Sequence, residues 1–134
     1  MLLTASSFLR VARRVLLGAM LTAFSLHALA QAVSLDQARA EIQAGRAVLV
    51  DVRESSEQAG GVVQGARLVP MSQFSSRVSE LAPDKNAPLL LICQTQNRSR
   101  TLTQTLKEQG YTRVRYVTGG MREWSQRGLL VVKP

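Results

Sequence analysis

Residues 89–99 of the chain read LLLICQTQNRS, a short apolar run that changes at once into a polar one. Four consecutive apolar residues are typical of a strand buried on both faces of a parallel sheet. We expect a helix to follow from about Ser99 to Gln109, where Gly110 ends it. The stretch therefore predicts a strand, a short loop and a helix, with Cys93 at the carboxyl end of the strand.

The rest of the chain repeats this alternation of strands and helices. In the first half of the domain we predict a helix that begins with the capping box Ser34-Leu35-Asp36-Gln37 and stops at Gly45, a strand over 47–52, a long loop over 53–65 and a short strand over 67–69. In the second half we predict a helix capped by Ser72 that runs through Leu81, a turn over 83–86, a strand over 114–117, and a last helix opened by Gly119-Gly120. We therefore predict an α/β fold, with a central parallel sheet covered by helices on both faces. Ligands of such sheets bind beyond the carboxyl ends of the strands, where Asp51 and Cys93 both lie.

The first thirty residues have the features of an export signal. Three arginines within residues 10–14 precede an uncharged run over 15–26, and Ala28-Leu29-Ala30 follows as a small-residue cleavage pattern. A run of twelve residues is well short of the ~20 that span a bilayer. We expect cleavage after Ala30, which would leave a periplasmic or secreted domain, residues 31–134, with no membrane segment. An uncleaved anchor is the alternative, and the export route stays open because Arg13-Arg14 loosely fits a twin-arginine signal.

The expected mature domain is moderately basic, with 14 Lys and Arg residues, nine Asp and Glu residues and a net charge of +5. The basic residues are spread from Arg39 to Lys133, and four aromatic residues accompany them. Nucleic-acid binding requires a clustered basic face, usually with stacking aromatics near it, so we expect no nucleic-acid partner. The charge suits small anions instead. The mature domain contains no Cys/His cluster, and we expect neither a metal nor another cofactor.

The chain contains a single cysteine, Cys93. An exported protein normally pairs its cysteines or avoids them, and a lone cysteine cannot form an internal disulfide. Its thiol is therefore either a buried, inert side chain or a free reactive group.

The residues after Cys93 favour a reactive thiol. Four residues separate it from Arg98 at the start of the expected helix, and a loop that short curls around the sulfur with its backbone N–H groups directed inward. Those amides, the helix N-terminus and the arginine all favour negative charge at one point, which stabilises a thiolate and attracts an anion. We interpret Cys93 as a nucleophile that lies in the mouth of the loop without packing, so we expect its replacement by serine to cost little stability. The residues expected to cradle its substrate are Gln94, Thr95, Gln96, Asn97, Arg98 and Ser99.

The chain resembles the rhodanese family over residues 35–131. The matching pieces are Asp51-Val52-Arg53, the segment from Gly61 to Pro70 with Gly65-Ala66, the loop from Cys93 to Ser99, and Gly110-Tyr111 followed by Val114, Gly119-Gly120 and Trp124. This resemblance implies a three-layer fold around a five-stranded parallel sheet. It also implies that Cys93 carries sulfur as a persulfide. The implied partners are a small sulfur-donor anion such as thiosulfate and a thiol, cyanide or protein acceptor.

Two positions depart from the family pattern. Gln96 stands where the family often has glycine, and Val62 stands where it often has histidine. A glycine in a tight loop usually serves a positive φ or a close approach. We therefore expect Gln96 to cost on the order of 1 kcal/mol or to divert the loop.

Two further residues are expected to support the site. The resemblance places Asp51 near the cysteine loop, where we expect it to accept hydrogen bonds from loop amides or to pair with Arg98. Structural support is favoured over proton transfer for this carboxylate. Arg53 and Arg100 either enlarge an anion-attracting rim or belong to the solvated surface.

Two other functions remain open. Cysteine phosphatases and arsenate reductases use a similar loop that ends in arginine, but normally with five intervening residues where this chain has four. A rhodanese-like domain can also be a non-catalytic module that binds a partner or delivers persulfide to one protein. Retention of Cys93 is evidence against an inactive module.

Overall fold

The computed structural model describes residues 31–134 of the chain. Its elements, in order, are β1 (Ala32–Val33), α1 (Leu35–Gln43), β2 (Val48–Asp51), α2 (Ser55–Gln58), β3 (Arg67–Leu68), α3 (Met71–Leu81), β4 (Leu89–Ile92), α4 (Asn97–Glu108), β5 (Val114–Val117) and α5 (Gly120–Gln126). The expected signal peptide, residues 1–30, lies outside the described residues. None of the helices in the described part has both the length and the apolar character of a membrane span.

The strands form one parallel sheet in the order β1-β5-β4-β2-β3. β4 is the middle strand, and all four of its residues are buried, as its continuous apolar sequence predicts. β2 and β5 pair with its two edges. The carboxyl ends of β2 and β4 therefore lie side by side, which brings Asp51 and Cys93 to the same edge of the sheet.

Helices cover both faces of the sheet. Alternate residues of β4 point to opposite faces, so each face packs against its own pair of helices. Leu89, Leu91 and Cys93 belong to one apolar cluster, together with residues of α3 and α4. Leu90 and Ile92 belong to a second cluster, together with residues of α1 and α5. The predicted three-layer α/β fold is confirmed.

The local signals of the sequence explain where α1 begins but not where α3 begins. The Ser34 Oγ accepts from the Gln37 N–H at 3.2 Å, and the Gln37 side chain accepts from the Ser34 N–H at 3.0 Å, as the capping box predicts. The prediction that Ser72 caps α3 is wrong, because Pro70 is the N-cap and the helix begins at Met71. The Ser72 hydroxyl and amide instead donate to the carboxylate of Glu54, at 2.8 Å and 3.2 Å. A carboxylate beside the first turn is favourable there, because the exposed N–H groups carry partial positive charge.

Two elements were not predicted from the sequence. Residues 53–65 were expected to be a loop, but they contain the single helical turn α2. β1 has only two residues and exists because it pairs with β5 at the edge of the sheet. The remaining helix, α4, begins at Asn97 rather than Ser99, so it follows the loop sooner than expected.

Candidate active site around Cys93

Cys93 follows the last residue of β4 and is buried, with 1% of its surface exposed. Its Sγ lies 3.4 Å from the Oγ of Ser99, which is itself fully buried. The expectation that the thiol occupies the mouth of the loop without packing is wrong. The alternation of β4 explains the difference, because it directs Cys93 to the same face as Leu89 and Leu91.

The backbone of the cysteine loop is held by α5. The N–H groups of Met121 and Arg122 donate to the carbonyl oxygens of Cys93 and Gln94, both at 2.9 Å. A carbonyl and the next N–H point in opposite directions across a trans peptide bond. The N–H groups of the two peptides that follow Cys93 and Gln94 therefore point away from α5, toward the face of the sheet on which the Cys93 side chain packs. This arrangement can stabilise negative charge on or near the sulfur.

Gly120 allows this close contact between α5 and the loop. A Cβ at this position would overlap the carbonyl oxygens of Cys93 and Thr95, and the residue has a φ of 56°. The sequence predicted only that the Gly119-Gly120 pair opens the last helix. Its second glycine in fact determines how near the last helix lies to the cysteine loop.

Gln96 does not adopt the left-handed backbone that was expected to carry a cost. Its φ is −162°, and no residue other than glycine has a positive φ within residues 31–134. Its Oε1 instead accepts a hydrogen bond of 3.1 Å from the N–H of Gly119. The residue that departs from the family pattern thus forms a second connection between the loop and α5. The other departure, Val62, is buried and pairs with Val132 in an isolated antiparallel bridge.

Arg98 is bound to Glu57 of α2. Its Nη1 and Nη2 each lie 2.7 Å from a carboxylate oxygen, and each side chain is about one-third exposed. The hydrogen bonds from Arg98 lower the pKa of Glu57 to about 2, with smaller contributions from a backbone hydrogen bond and from nearby arginines. The same bonds raise the pKa of Arg98, and the negative charge of Cys93 acts in the same direction. Arg98 is therefore within electrostatic range of the thiol, but its guanidinium is already held by a carboxylate.

Asp51 and Arg53 form a buried ion pair with each other. The Nη2 of Arg53 lies 2.7 Å from Oδ2 of Asp51, and its Nε lies 3.1 Å from both carboxylate oxygens. Asp51 thus pairs with Arg53, where we had expected Arg98 or loop amides. Arg53 does not belong to an exposed rim either, because only 5% of its surface is exposed.

Arg53 connects this buried pair to the helical turn that carries Glu57. Its guanidinium donates to the carbonyl oxygens of Gly61 at 2.8 Å and of Glu57 at 3.3 Å. Contacts therefore run from Asp51 through Arg53 to α2, and from the Glu57 carboxylate to Arg98. Asp51 and Arg53 support the position of α2, and α2 in turn holds the arginine of the loop.

An open cavity of about 440 Å³ lies beside the loop. The residues that line it are Thr95, Gln96, Asn97, Gly119 and Arg122. Sequence reasoning missed both Arg122 and Glu57. The position of Arg122, two residues after Gly120, was a usable signal, because the Gly119-Gly120 turn follows β5, at the same edge of the sheet as Cys93. Elsewhere in the described part of the chain, no three His, Cys, Asp or Glu side chains are grouped closely enough to hold a metal ion.

A parallel α/β sheet with a cysteine loop after its central strand agrees with the resemblance of the sequence to the rhodanese-like class of domains. The family model of the rhodanese-like domain matches residues 34–127, and the chain belongs to this family. The resemblance first seen in separate motifs is thereby confirmed.

Known proteins agree with this assignment. The chain is 42% identical over 86 residues to the uncharacterised protein YqhL of Bacillus subtilis strain 168, a match that covers 63% of this chain and 67% of that protein. It is 32% identical over 110 residues to the thiosulfate:glutathione sulfurtransferase of Homo sapiens, covering 73% of this chain and 96% of that protein. The solved structure of the human single-domain sulfurtransferase TSTD1 aligns with a TM-score of 0.66 at 32% identity, covering 72% of this chain and 96% of that one. The homologues of this chain thus include sulfurtransferases.

Proposed function

We propose that the protein is a sulfurtransferase that takes a sulfane sulfur from thiosulfate and carries it as a persulfide on Cys93. The observation that supports this most directly is the position of the thiol. Cys93 lies at the carboxyl end of the central strand, and the two peptides that follow it direct their N–H groups away from α5. The names of the sulfurtransferase homologues support the same reaction class.

In the first step the Cys93 thiolate attacks the outer sulfur of thiosulfate. A bond forms between Sγ and that sulfur, and the sulfur–sulfur bond of thiosulfate breaks. Sulfite leaves with the bonding electron pair, and the persulfide anion keeps the single negative charge that the thiolate had. The thiol must first lose its proton, because the thiolate is the attacking form.

Ser99 is placed to respond to that loss. Its Oγ lies 3.4 Å from the Cys93 Sγ and 3.2 Å from the carbonyl oxygen of Gln96. A hydroxyl has one proton to donate but can also accept. When Cys93 is a protonated thiol, the Ser99 hydroxyl accepts a hydrogen bond from Sγ and donates one to the carbonyl oxygen of Gln96. Beside a thiolate, the hydroxyl can rotate and donate to the sulfur, which stabilises the charged form.

In the second step a nucleophilic acceptor attacks the outer sulfur of the persulfide. The bond between that sulfur and Sγ breaks, and Sγ leaves with the electron pair as a thiolate. Cyanide would leave as thiocyanate, and a thiol would leave as a new persulfide. The resting Cys93 is regenerated without any change in the total oxidation state.

Phosphatase chemistry is less well supported. The loop has four residues between Cys93 and Arg98, one fewer than the phosphatase pattern. Moreover, both terminal nitrogens of Arg98 donate to Glu57, so they are not directed at the centre of the loop. The guanidinium of Arg98 is therefore not free to bind a phosphoryl group in the loop.

The formation of thiocyanate from thiosulfate and cyanide tests the proposed reaction. We expect steady turnover by the wild-type protein and none by Cys93→Ser above the uncatalysed rate. If the variant retained more than about a tenth of the wild-type rate, Cys93 would not be the carrier, because loss of a covalent nucleophile costs several orders of magnitude.

We also propose that residues 1–30 direct export and are removed, so that the domain acts in the periplasm or outside the cell. The support is the order of basic, apolar and small residues in the sequence. N-terminal sequencing of the protein from a periplasmic fraction should begin at Gln31. Recovery of the chain with Met1 and the apolar segment intact would contradict this proposal.

A further inference from the structure

Another cavity, of about 260 Å³, lies on the face of the sheet that α1 and α5 cover. The apolar side chains that line it come from α1, α5, the segment after α2 and the C-terminal segment: Ile42, Trp124, Val63, Leu129 and Leu130. All of these except Leu130 belong to the apolar cluster of α1 and α5 or pack against it, whereas Cys93 belongs to the cluster on the opposite face. The cavity is therefore not part of the site around Cys93.

The wall of this cavity offers apolar surface to a ligand. The Nε1 of Trp124 donates to the carbonyl oxygen of Leu130 at 3.0 Å, so the polar atom of the indole is already satisfied and its ring is left for packing. Leu130 lines the same cavity although 74% of its surface is exposed. An apolar group bound here would remove this surface from water, which is favourable.

The polar part of the lining consists of one cation and two carboxamides, from Arg39, Gln43 and Gln64. Among residues 31–134, no carboxylate lines the cavity. Within the same residues Arg39 pairs only with Asp36, at 3.9 Å, and that carboxylate oxygen also accepts a hydrogen bond of 2.7 Å from Arg127. A guanidinium held this weakly is available to the carboxylate of a ligand, which it can bind through two parallel hydrogen bonds.

From this lining we infer that the cavity between α1, α5 and the C-terminal segment is a binding site for small apolar carboxylates. The apolar body of the ligand packs against Ile42, Trp124 and Leu130, and its carboxylate binds Arg39. The volume is just under the ~300–1,000 Å³ of pockets that hold drug-sized ligands, so the ligand is smaller than those. The inference does not depend on sulfur transfer, because no residue of the cysteine loop lines this cavity.

The fluorescence of Trp124 reports directly on this cavity, because the chain contains no other tryptophan. The protein is titrated with 4-phenylbutyrate and with 4-phenylbutanol, which has the same apolar body without the charge. The same titrations are made with Arg39→Gln, Leu130→Ala and Arg46→Gln. The last variant is the matched control, because Arg46 is an exposed arginine just after α1 that does not line the cavity.

We expect Arg39→Gln to weaken the binding of 4-phenylbutyrate about fivefold, the effect of losing one partly exposed guanidinium–carboxylate pair. Its effect on 4-phenylbutanol should be less than about twofold. Leu130→Ala should weaken both ligands by the same factor, because it removes apolar contact alone. Arg46→Gln should leave both affinities nearly unchanged at ionic strength that screens distant charges. None of the three replaced side chains is buried, so the variants should fold.

Four results would overturn the inference. Trp124 emission and an indole N–H resonance that both fail to respond to 4-phenylbutyrate would show that the cavity binds no such ligand. An equal effect of Arg39→Gln on the carboxylate and the alcohol would show that Arg39 does not bind the carboxylate. An equal effect of Arg46→Gln would assign the preference to overall charge. Trp124 emission that changes with protein concentration in the absence of ligand would assign the cavity to a second copy of the chain.

Discussion

Arg98 donates two hydrogen bonds of 2.7 Å to the carboxylate of Glu57, a residue 41 positions earlier in the chain. The contact joins the start of α4 to the single helical turn α2. Arg98 is therefore a residue that positions the cysteine loop, and Glu57 is the group that positions Arg98. Four predictions follow from the contacts around this pair and around the thiol.

Removal of the Glu57 carboxylate should destabilise the protein in a pH-dependent way. The pKa of this group falls from 4.5 to about 2 in the folded protein, mainly because Arg98 donates hydrogen bonds to it. A lowered folded pKa stabilises the fold fully above the unfolded pKa, and this contribution is lost as the pH falls from 4.5 toward 2. We expect Glu57→Gln to cost about 1 kcal/mol at neutral pH, because solvent screens a pair that is one-third exposed.

Urea unfolding of wild type and Glu57→Gln at neutral pH and near the folded pKa measures this difference. Glu80→Gln, which alters an exposed carboxylate on α3, is the control. The gap between wild type and Glu57→Gln should shrink at low pH, while the control should show no such gap. A gap of the same size at both pH values would mean that the ion pair is not its source.

Substitution of Arg98 should alter the reactivity of Cys93. The charges of the two groups interact, as the effect of Cys93 on the pKa of Arg98 indicates. Arg98→Ala removes the cation at the start of α4, so alkylation of Cys93 at neutral pH and loading by thiosulfate should both slow, because the thiolate is the attacking form. Arg98→Lys should recover only part of the loss, because an ammonium restores the charge but cannot bind Glu57 through two parallel hydrogen bonds.

The measurement is the rate of alkylation by iodoacetamide at neutral pH in wild type and both variants. Arg100→Ala serves as the control for a general loss of positive charge. Equal alkylation rates for wild type, Arg98→Ala and Arg98→Lys would show that Arg98 acts on structure alone.

Cys93→Ser should cost some stability as well as activity. From the sequence we expected little loss of stability. However, the thiol packs in the apolar cluster that includes residues of α3 and α4, and only 1% of the surface of Cys93 is exposed. A buried hydroxyl is costly to desolvate, although the Oγ of Ser99 offers it a partner. We expect a loss of about 1 kcal/mol in the free energy of unfolding. An unchanged midpoint of urea unfolding would contradict the burial of this side chain.

Gly120→Ala should damage the loop more than the backbone angle alone requires. The added methyl group would overlap the carbonyl oxygens of Cys93 and Thr95. Gly45→Ala is a matched control, because Gly45 has a similar φ of 65° and open space around its missing side chain. The control should cost about 1 kcal/mol from the left-handed backbone alone, with sulfur transfer unchanged.

Gly120→Ala should be less stable than this control and should lose most of its transfer activity. Thiocyanate formation and urea unfolding of the two variants check both points. Equal stability and equal activity would show that α5 can move away from the loop without consequence.

The elements that could be predicted from the sequence are those whose signals lie within a few neighbouring residues. The apolar run of β4 and the capping box at Ser34 are each contained in a few neighbouring residues, and both were located correctly. The face of the sheet on which Cys93 packs could also have been predicted, because Leu89, Leu91 and Cys93 alternate with the other residues of the same strand.

The contacts that complete the site are not local. Glu57 lies in a segment expected to be a loop, and nothing near it in the sequence indicates that Arg98 is its partner. The hydrogen bond from Gly119 to Gln96 likewise joins residues 23 positions apart. A motif can identify the nucleophile, but the groups that hold a motif in place depend on the packing of α2 and α5 around it.

The central claim is that Cys93 carries a sulfane sulfur. Intact mass spectrometry of the protein after incubation with thiosulfate tests it most directly, with Cys93→Ser in parallel. We expect the wild-type protein to gain about 32 Da, the mass of one sulfur atom bound as a persulfide, and to lose it on addition of cyanide. A wild-type mass that stays unchanged, or an equal gain by Cys93→Ser, would contradict the account.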